Sequence, residues 1–182
     1  METVLQKKVE DSSLKWFKRF TYATLLNAAI AVVWTSPALI PNLNIARQIA
    51  GGSAGTWGYV GYSLFLTVGF AATFIFGTMY YLIPRAMNVQ IFSSKLAWLH
   101  LILQEVGILG STGLLSWAGF VGGSLLLAQK AAEVHGVIAQ FVEPIGYFVA
   151  VAMAGAILGL INIAITVRKK PSVPESQLKL TA

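Results

Sequence analysis

Glu105 is the residue whose chemistry is hardest to reconcile with its surroundings. It lies inside a long apolar stretch, five residues after His100 and directly after Gln104. An ionisable group within a membrane helix is costly to bury, so it usually faces a polar partner, a water-filled cavity or a proton path. We therefore treat Glu105, His100 and Gln104 as candidate contacts for a proton or a quinone head group. The alternative is an interhelical hydrogen bond without any chemistry.

His100 and His135 are the only histidines, and cysteine is absent. Without cysteine the chain has no disulfides, no iron–sulfur ligation and no thioether-linked haem. A bis-histidine haem needs both rings on one iron, yet these two histidines fall near opposite ends of one predicted helix. Even about 15 helical residues separate two groups by roughly 22 Å. We expect no metal and no haem held by this chain alone. Two alternatives stay open for each histidine: a haem or quinone shared with a partner chain, or a structural role.

The sequence shows no other arrangement typical of catalysis, such as a nucleophile–base pair or a carboxylate dyad. The run GGSAG at 51–55 is interpreted as a flexible turn, because it does not form the tight strand-to-helix connection of a phosphate-binding loop. Glu143 precedes Pro144 at the predicted start of the last membrane helix, where a carboxylate complements the helix dipole. We interpret Glu143 as a cap, predict no catalytic residue, and expect the chain by itself not to be an enzyme.

The elements that must position these groups are membrane helices. Of the 182 residues, 56% are hydrophobic and only 11% are charged, whereas a soluble domain carries about 25% charged residues. The charges concentrate in 1–19 and 168–182. Backbone groups in lipid are satisfied inside helices, so the composition predicts an all-α, multi-pass membrane bundle. The net charge of +6 comes mainly from the two tails and indicates topology, not a nucleic-acid partner.

Four hydrophobic segments reach the length of about 20 helical residues that a hydrocarbon core requires. They are 17–39, 57–83, 97–127 and 145–167. The third is longer than necessary and is expected to tilt, protrude or break near Gly119, Gly122 and Gly123. Residues 131–142 are predicted to form an interfacial helix before the last span. The predicted tails are 1–16 and 168–182.

Charge and small residues indicate orientation and packing. With the N-terminus inside, eleven of the thirteen Lys and Arg residues lie on the inner side, which places both termini in the cytoplasm. Arg85 is expected to anchor the second helix at the inner interface, with Tyr80 and Tyr81 in an aromatic belt. Asn27, inside the first span, is expected to bond another helix. Small residues at helical spacing predict two close-packing faces, Gly146/Ala150/Ala154 and Gly107/Gly110/Gly113.

The stretch FGTMYYLIPRAMNVQIFSSKLAWLH, residues 76–100, resembles the late helices of the haem–copper oxidase catalytic subunit. It looks most like the C-family oxidases and the related nitric oxide reductases. In them a helix ends in a YYLxPR-like turn, and a stretch containing serine, leucine and histidine opens the next. The matching residues are Tyr80, Tyr81, Leu82, Pro84 and Arg85, followed by Ser94, Leu96 and His100. The runs WAGFVGG and FVEPIGYFV, at 117–123 and 141–149, are similar to the family's continuation.

The resemblance implies that about 57–167 corresponds to the last helices of such a subunit. One membrane depth before the proline turn, the family carries an H-x-H pair that ligates its two haems. Those positions fall at or near Tyr62 and Leu64 in this chain, and no histidine precedes His100. The family's copper ligands lie on helices without a counterpart here. The resemblance therefore implies an oxidase scaffold that has lost its metal ligands.

The leading functional hypothesis is a non-catalytic integral membrane subunit of a respiratory terminal oxidase complex, of the cytochrome c oxidase kind, in a prokaryotic plasma membrane. Its expected partners are other membrane subunits, lipid and a quinone, with a structural or assembly role that extends to a quinone or proton pathway. One alternative is a haem b- or quinone-binding electron-transfer subunit of another membrane oxidoreductase. Another is an unrelated small transporter or membrane anchor.

Overall fold

The computed structural model describes residues 4–169, and in that range the chain is helical and contains no strand. The predicted all-α bundle with four membrane-crossing helices is confirmed, because four helices are long and apolar enough to span a membrane. The α-helices are α1 (Val4–Thr35), α2 (Ile45–Ala50), α3 (Thr56–Leu64), α4 (Thr73–Ala86), α5 (Ser94–Leu127) and α6 (Ala131–Val167). A π-helical segment, Phe65–Ala72, joins α3 and α4 into the second span.

The first helix begins earlier than predicted. Residues 1–16 were expected to form a tail, but α1 is helical from Val4. The reason lies in its buried face, where Val9, Ser13, Trp16 and Phe20 recur at spacings of three and four and pack into the bundle. Of the predicted C-terminal tail, residues 170–182 lie outside the described residues.

The YYLIPR stretch continues as a helix beyond its proline. α4 includes Pro84 and ends at Ala86, whereas the sequence placed the end of the second span near residue 83. The stop comes from Asn88, whose φ of 51° is left-handed. The Val89 N–H then donates to the Pro84 carbonyl at 3.0 Å, which is the bond pattern of a Schellman C-cap.

The third span is unbroken, although the sequence left open a break at Gly119, Gly122 or Gly123. α5 runs for 34 residues, which corresponds to roughly 51 Å. The glycines serve close packing instead of bending. A Cβ on Gly119 would meet the backbone of Gly58, and one on Gly123 would meet the side chain of Gln48.

The last span also differs from its prediction, because α6 is one helix of 37 residues with Pro144 inside it. No separate interfacial helix occupies 131–142. This part stays on the bundle through Val134, which is buried, and through Ile138, whose side chain fills the place of a Cβ on Gly122.

The spans pack in a defined order. α6 lies along α5, α1 lies along α4, and α3 approaches α5 closely. Since lipid offers no hydrophobic driving force between helices, close approach at small residues supplies much of the packing energy. On α5 the predicted face is used in part: Gly107 meets the backbone of Ala152 and Gly110 meets the ring of Phe148.

The face predicted for α6 is not the one that packs. Gly146, Ala150 and Ala154 are exposed, whereas Gly155 and Gly159 are buried against α5. The polar residue Asn162 lies on this second face and is fully buried. Bonds to Asn162 from the α4–α5 connection fix this rotation of α6.

Replacing Gly107 with valine should therefore push α5 and α6 apart. We expect Gly107→Val to lower the free energy of unfolding by about 1–3 kcal/mol, the range for overpacking a tight contact. Gly146→Val is the matched control, because a Cβ there meets nothing within 4 Å. Unfolding in detergent, followed by circular dichroism, measures both. Equal losses in the two variants would contradict the packing face described here.

Candidate functional site

A series of polar groups, most of them buried side chains, runs through the bundle from its middle to the end that carries Val4 and Lys169. Each member is joined to the next by a hydrogen bond, and α1, the second span, α5 and α6 all contribute. In order, the series comprises the side chains of Asn27, Glu105, Thr73, Gln104, His100, Tyr80 and Asn162, followed by the backbone of Ser93. Because the hydrocarbon core contains no water to satisfy polar groups, each of these residues depends on the others.

Glu105 lies next to Asn27, at the end of the series that is in the middle of the bundle. The Asn27 Nδ2 donates to one carboxylate oxygen at 2.9 Å, and the Thr73 hydroxyl donates to the other at 2.9 Å. The same Asn27 nitrogen lies 2.6 Å from the Gly69 carbonyl in the π-helical segment. The expected bond between Asn27 and another helix is thus present. Glu105 links three spans through its two oxygens.

Gln104 links His100 to Glu105 through the hydroxyl of Thr73. Its Oε1 lies 2.7 Å from His100 Nε2, four residues earlier, and its Nε2 donates to Thr73 at 3.1 Å. Residues four apart share one face of a helix. Glu105, the next residue, points in a different direction from Gln104. The Thr73 hydroxyl bridges the two, because it contacts both Gln104 and Glu105.

His100 is completely buried, and both of its ring nitrogens are bonded. Nε2 contacts Gln104, and Nδ1 lies 3.3 Å from the Tyr80 hydroxyl. The ring stands edge-on to Phe76 with centroids 4.4 Å apart. Its opposite boundary is Gly159, where any Cβ would collide with the imidazole. His100 is therefore enclosed by three helices, with no free nitrogen for a ligand.

At the end of the bundle that carries Val4 and Lys169, the series joins α6 to the connection between α4 and α5. Asn162 Nδ2 donates to the Tyr80 hydroxyl at 3.2 Å and to the Ser93 carbonyl at 2.9 Å, and Asn162 Oδ1 accepts from the Ser93 N–H at 3.0 Å. One turn later, the Thr166 hydroxyl accepts from the Phe92 N–H at 2.9 Å. These bonds satisfy backbone groups of a segment that has no helical partners of its own.

The chemistry of the series favours holding helices together over moving protons through the side chains alone. Hydroxyl, imidazole and carboxyl groups exchange protons readily, but the path from His100 to Glu105 passes through the Gln104 amide, which neither gains nor loses a proton near neutral pH. The Asn162 amide interrupts the path between Tyr80 and Ser93 in the same way. A role for Glu105 in a proton pathway stays a prediction.

Of the three residues predicted to anchor the second helix, Arg85 and Tyr81 lie together and Tyr80 lies apart from them. Arg85 forms an ion pair with Glu10 at 2.8 Å and donates to the hydroxyl of Tyr81, so these side chains lie together at the end of the bundle. Tyr80 does not join them in an aromatic belt. Its exposed fraction is 1%, because it points into the bundle and stacks on Phe20 with centroids 5.2 Å apart.

The remaining candidates lie far from this series. Tyr62 bonds Thr35 near the opposite end of the bundle, and Leu64 is exposed on the bundle surface. Glu143 does not cap a helix, because α6 begins at Ala131; it accepts a bond of 2.8 Å from Tyr147 instead. His135 is exposed on α6, on a different helix from His100. Within residues 4–169, no three His, Cys, Asp or Glu side chains form a group that could hold a metal ion.

Sequence reasoning missed two members of the series, Thr73 between Glu105 and Gln104, and Asn162 between Tyr80 and Ser93. The signal for Asn162 was present: Gly155, Gly159, Asn162 and Thr166 recur at spacings of three and four on one face of α6. Thr73 gave no such signal, because a lone threonine is common in a membrane helix.

No protein-family model, curated protein or solved structure gives a significant match to this chain.

Substitutions at Glu105 should separate its hydrogen bonding from its charge. Glu105→Leu leaves Asn27 and Thr73 without their acceptor, so we expect a loss of about 1–3 kcal/mol in the free energy of unfolding. Glu105→Gln should lose less than about 1 kcal/mol. The oxygen of the new amide can still accept from Asn27 Nδ2, and its nitrogen can donate to the Thr73 hydroxyl oxygen. Denaturant titration in detergent measures both variants. Equal losses would mean that an amide cannot replace the carboxylate between Asn27 and Thr73.

Proposed function

We propose that this chain is a non-catalytic integral membrane subunit of a respiratory terminal oxidase complex. In this proposal it lies in a prokaryotic plasma membrane with both termini cytoplasmic, and it stabilises larger membrane subunits. The affiliation with an oxidase derives from the resemblance of residues 76–100 to the late helices of haem–copper oxidase catalytic subunits.

The observation that carries the non-catalytic part of the proposal is the enclosure of His100. This histidine is one of the residues that carry the resemblance, and both of its nitrogens are occupied by Gln104 and Tyr80. A haem on His100 would require the imidazole to leave these partners and the backbone of α6 to retreat at Gly159. The packing thus supports a histidine that holds three helices together.

The outer surface of α6 supports a role beside a larger subunit. Gly146, Ala150 and Ala154 form an exposed row on the side of α6 that does not contact α5. Small residues in a row let a second helix approach closely in lipid. In this proposal the row receives a helix of the neighbouring subunit.

The two alternatives, an electron-transfer subunit and a transporter or anchor, predict different properties of the chain. An electron-transfer subunit that used His100 as a haem ligand with a partner chain would need the His100 side chain free, in conflict with its two hydrogen bonds. A transporter or anchor without a respiratory link would assemble and act without oxidase subunits. Co-purification separates all three.

Purification of the chain from native membranes in mild detergent tests the proposal. We expect oxidase subunits to co-purify, identified by mass spectrometry, and the haem absorbance of the complex to be unchanged in amount per complex when His100 is replaced by alanine. His135→Ala is the control, because that side chain is exposed. Loss of one haem band in the His100→Ala complex would favour the electron-transfer alternative. Purification without any oxidase subunit would refute the proposal.

Glu105→Gln in the same preparation tests the predicted proton pathway. We expect the complex to assemble as before, because hydrogen bonds to Asn27 and Thr73 can be kept. A complex that falls apart would show that Glu105 is a structural tie, and the proton-pathway role would then fail.

A further inference from the structure

A cavity of about 650 Å³ lies at the end of the bundle opposite to the buried polar series. It is bounded by the end of α1, the connection that includes α2, the first turns of α3 and the second half of α5. A volume between about 300 and 1,000 Å³ is typical of sites that bury a small organic ligand. Its aromatic walls include Trp34, Tyr59, Tyr62, Trp117 and Phe120.

Glycines line part of the cavity, and they have two different environments. Gly58 and Gly119 bring α3 and α5 together, since a Cβ on Gly119 would meet the Gly58 backbone. Gly113 has the opposite environment: a Cβ there meets nothing within 4 Å, although the residue lines the cavity. The space above Gly113 is therefore open to an occupant.

The cavity wall carries a hydroxyl oriented to accept a hydrogen bond. The Thr35 hydroxyl donates to the Ala31 carbonyl at 2.8 Å, which uses its one hydrogen. The 2.8 Å contact between Thr35 and Tyr62 must then be donated by Tyr62. The Tyr62 oxygen keeps its lone pairs and has no donor among residues 4–169.

Gln48 supplies a second acceptor. Its exposed fraction is 6%, and it lines the cavity. Its Nε2 donates to the Leu43 carbonyl at 3.0 Å and to the Ser124 hydroxyl at 3.1 Å, so both amide hydrogens are used. The Oε1 atom of Gln48 has no hydrogen-bond partner among the described residues. An amide oxygen without a donor, on a largely buried side chain that lines the cavity, can accept from a ligand that brings a donor.

The cavity also has a lipid-facing side. Tyr59 and Trp117 line it and are exposed by 57% and 56%. In a membrane bundle, side chains exposed at this depth face the bilayer. Gly113 lies 14 residues before the end of α5, which is roughly 21 Å along the helix. A ligand can therefore enter from the lipid and leave an alkyl chain there.

We propose that this cavity binds a hydroquinone with an alkyl chain. The flat ring stacks among the aromatic walls, its hydroxyl groups donate to Tyr62 and Gln48, and the chain leaves between Tyr59 and Trp117. Two acceptors without donors match a ring with two hydroxyl donors. The site lies apart from Glu105, where the sequence placed a quinone contact. The proposal names a ligand for the proposed respiratory subunit. It rests on that proposed function only for the choice of a hydroquinone among phenols that carry an alkyl chain.

Binding of a decyl-substituted hydroquinone to the purified full chain in detergent tests the site, with quenching of tryptophan fluorescence as the readout because Trp34 and Trp117 line the cavity. We expect saturable quenching. Gly113→Phe should weaken binding about tenfold or more by filling the cavity. Gly136→Phe is the matched control, because Gly136 is exposed and outside the cavity, and it should bind like the native chain.

Two further measurements test the hydrogen bonds and guard against misfolding. Tyr62→Phe should weaken binding about fivefold, the effect of one neutral hydrogen bond. The dimethyl ether of the probe, which has no donor, should bind about tenfold more weakly than the hydroquinone. If Gly113→Phe does not fold, Ala38→Trp fills the cavity from the α1 side and should have the same effect.

Absence of saturable quenching, or native affinity in both cavity-filling variants, would overturn the proposal. Equal binding of the ether and the hydroquinone would overturn it as well. These outcomes are independent of co-purification. Hydroquinone binding by a chain that purifies without oxidase subunits would sustain the site and refute the oxidase subunit. A chain that purifies with them but does not bind would do the reverse.

Discussion

The fold depends on the absence of water around its buried polar groups. In a soluble protein a buried asparagine that loses one partner can be rescued by a water molecule, but within hydrocarbon the partner must be another side chain or the backbone. The chain meets this constraint by joining its large polar side chains near His100 into one bonded series, while buried hydroxyls such as those of Thr24 and Thr112 bond the backbone of their own helix. His100 is its centre, because it joins α4 to α5 through Tyr80 and fits against α6 where Gly159 leaves space. Rotation of any of these helices would leave several groups unpaired at once.

The two ends of the bundle differ in how their helices pack. At the end that carries Val4 and Lys169, rings fill the gap between α4 and α5, and the polar series fixes the helices. At the other end, α3 and α5 touch through glycine, and a space is left between them and α1. The first end is filled by packed rings, and the second retains acceptors without donors beside a cavity. This asymmetry makes the second end the more suitable place for a small molecule.

Helix number and class followed from the sequence because they depend on the sum of many residues: charge depletion over the middle of the chain and the length of each apolar run. Details that depend on one contact did not follow. Small-residue spacing indicated a packing face on α6, but Gly146/Ala150/Ala154 and Gly155/Gly159 satisfy similar patterns, and only the bonds of Asn162 decide between them. Glu105 was recognisable as a buried ionisable group that needs partners. Thr73 was not, because its role comes from its position opposite α5.

The π-helical segment between α3 and α4 allows the two halves of the second span to face different neighbours. A wider turn holds one more residue than an α-helical turn, so it rotates everything before it by about 100° relative to everything after it. Tyr62 can therefore point to α1 and the cavity while Thr73, on the same continuous rod, points to Glu105. A chain one residue shorter between Phe65 and Ala72 would keep the second half of the rod in place and turn Tyr62 away from Thr35. The number of residues in the segment Phe65–Ala72 thus determines whether the two halves of one span can contact two different sets of neighbours.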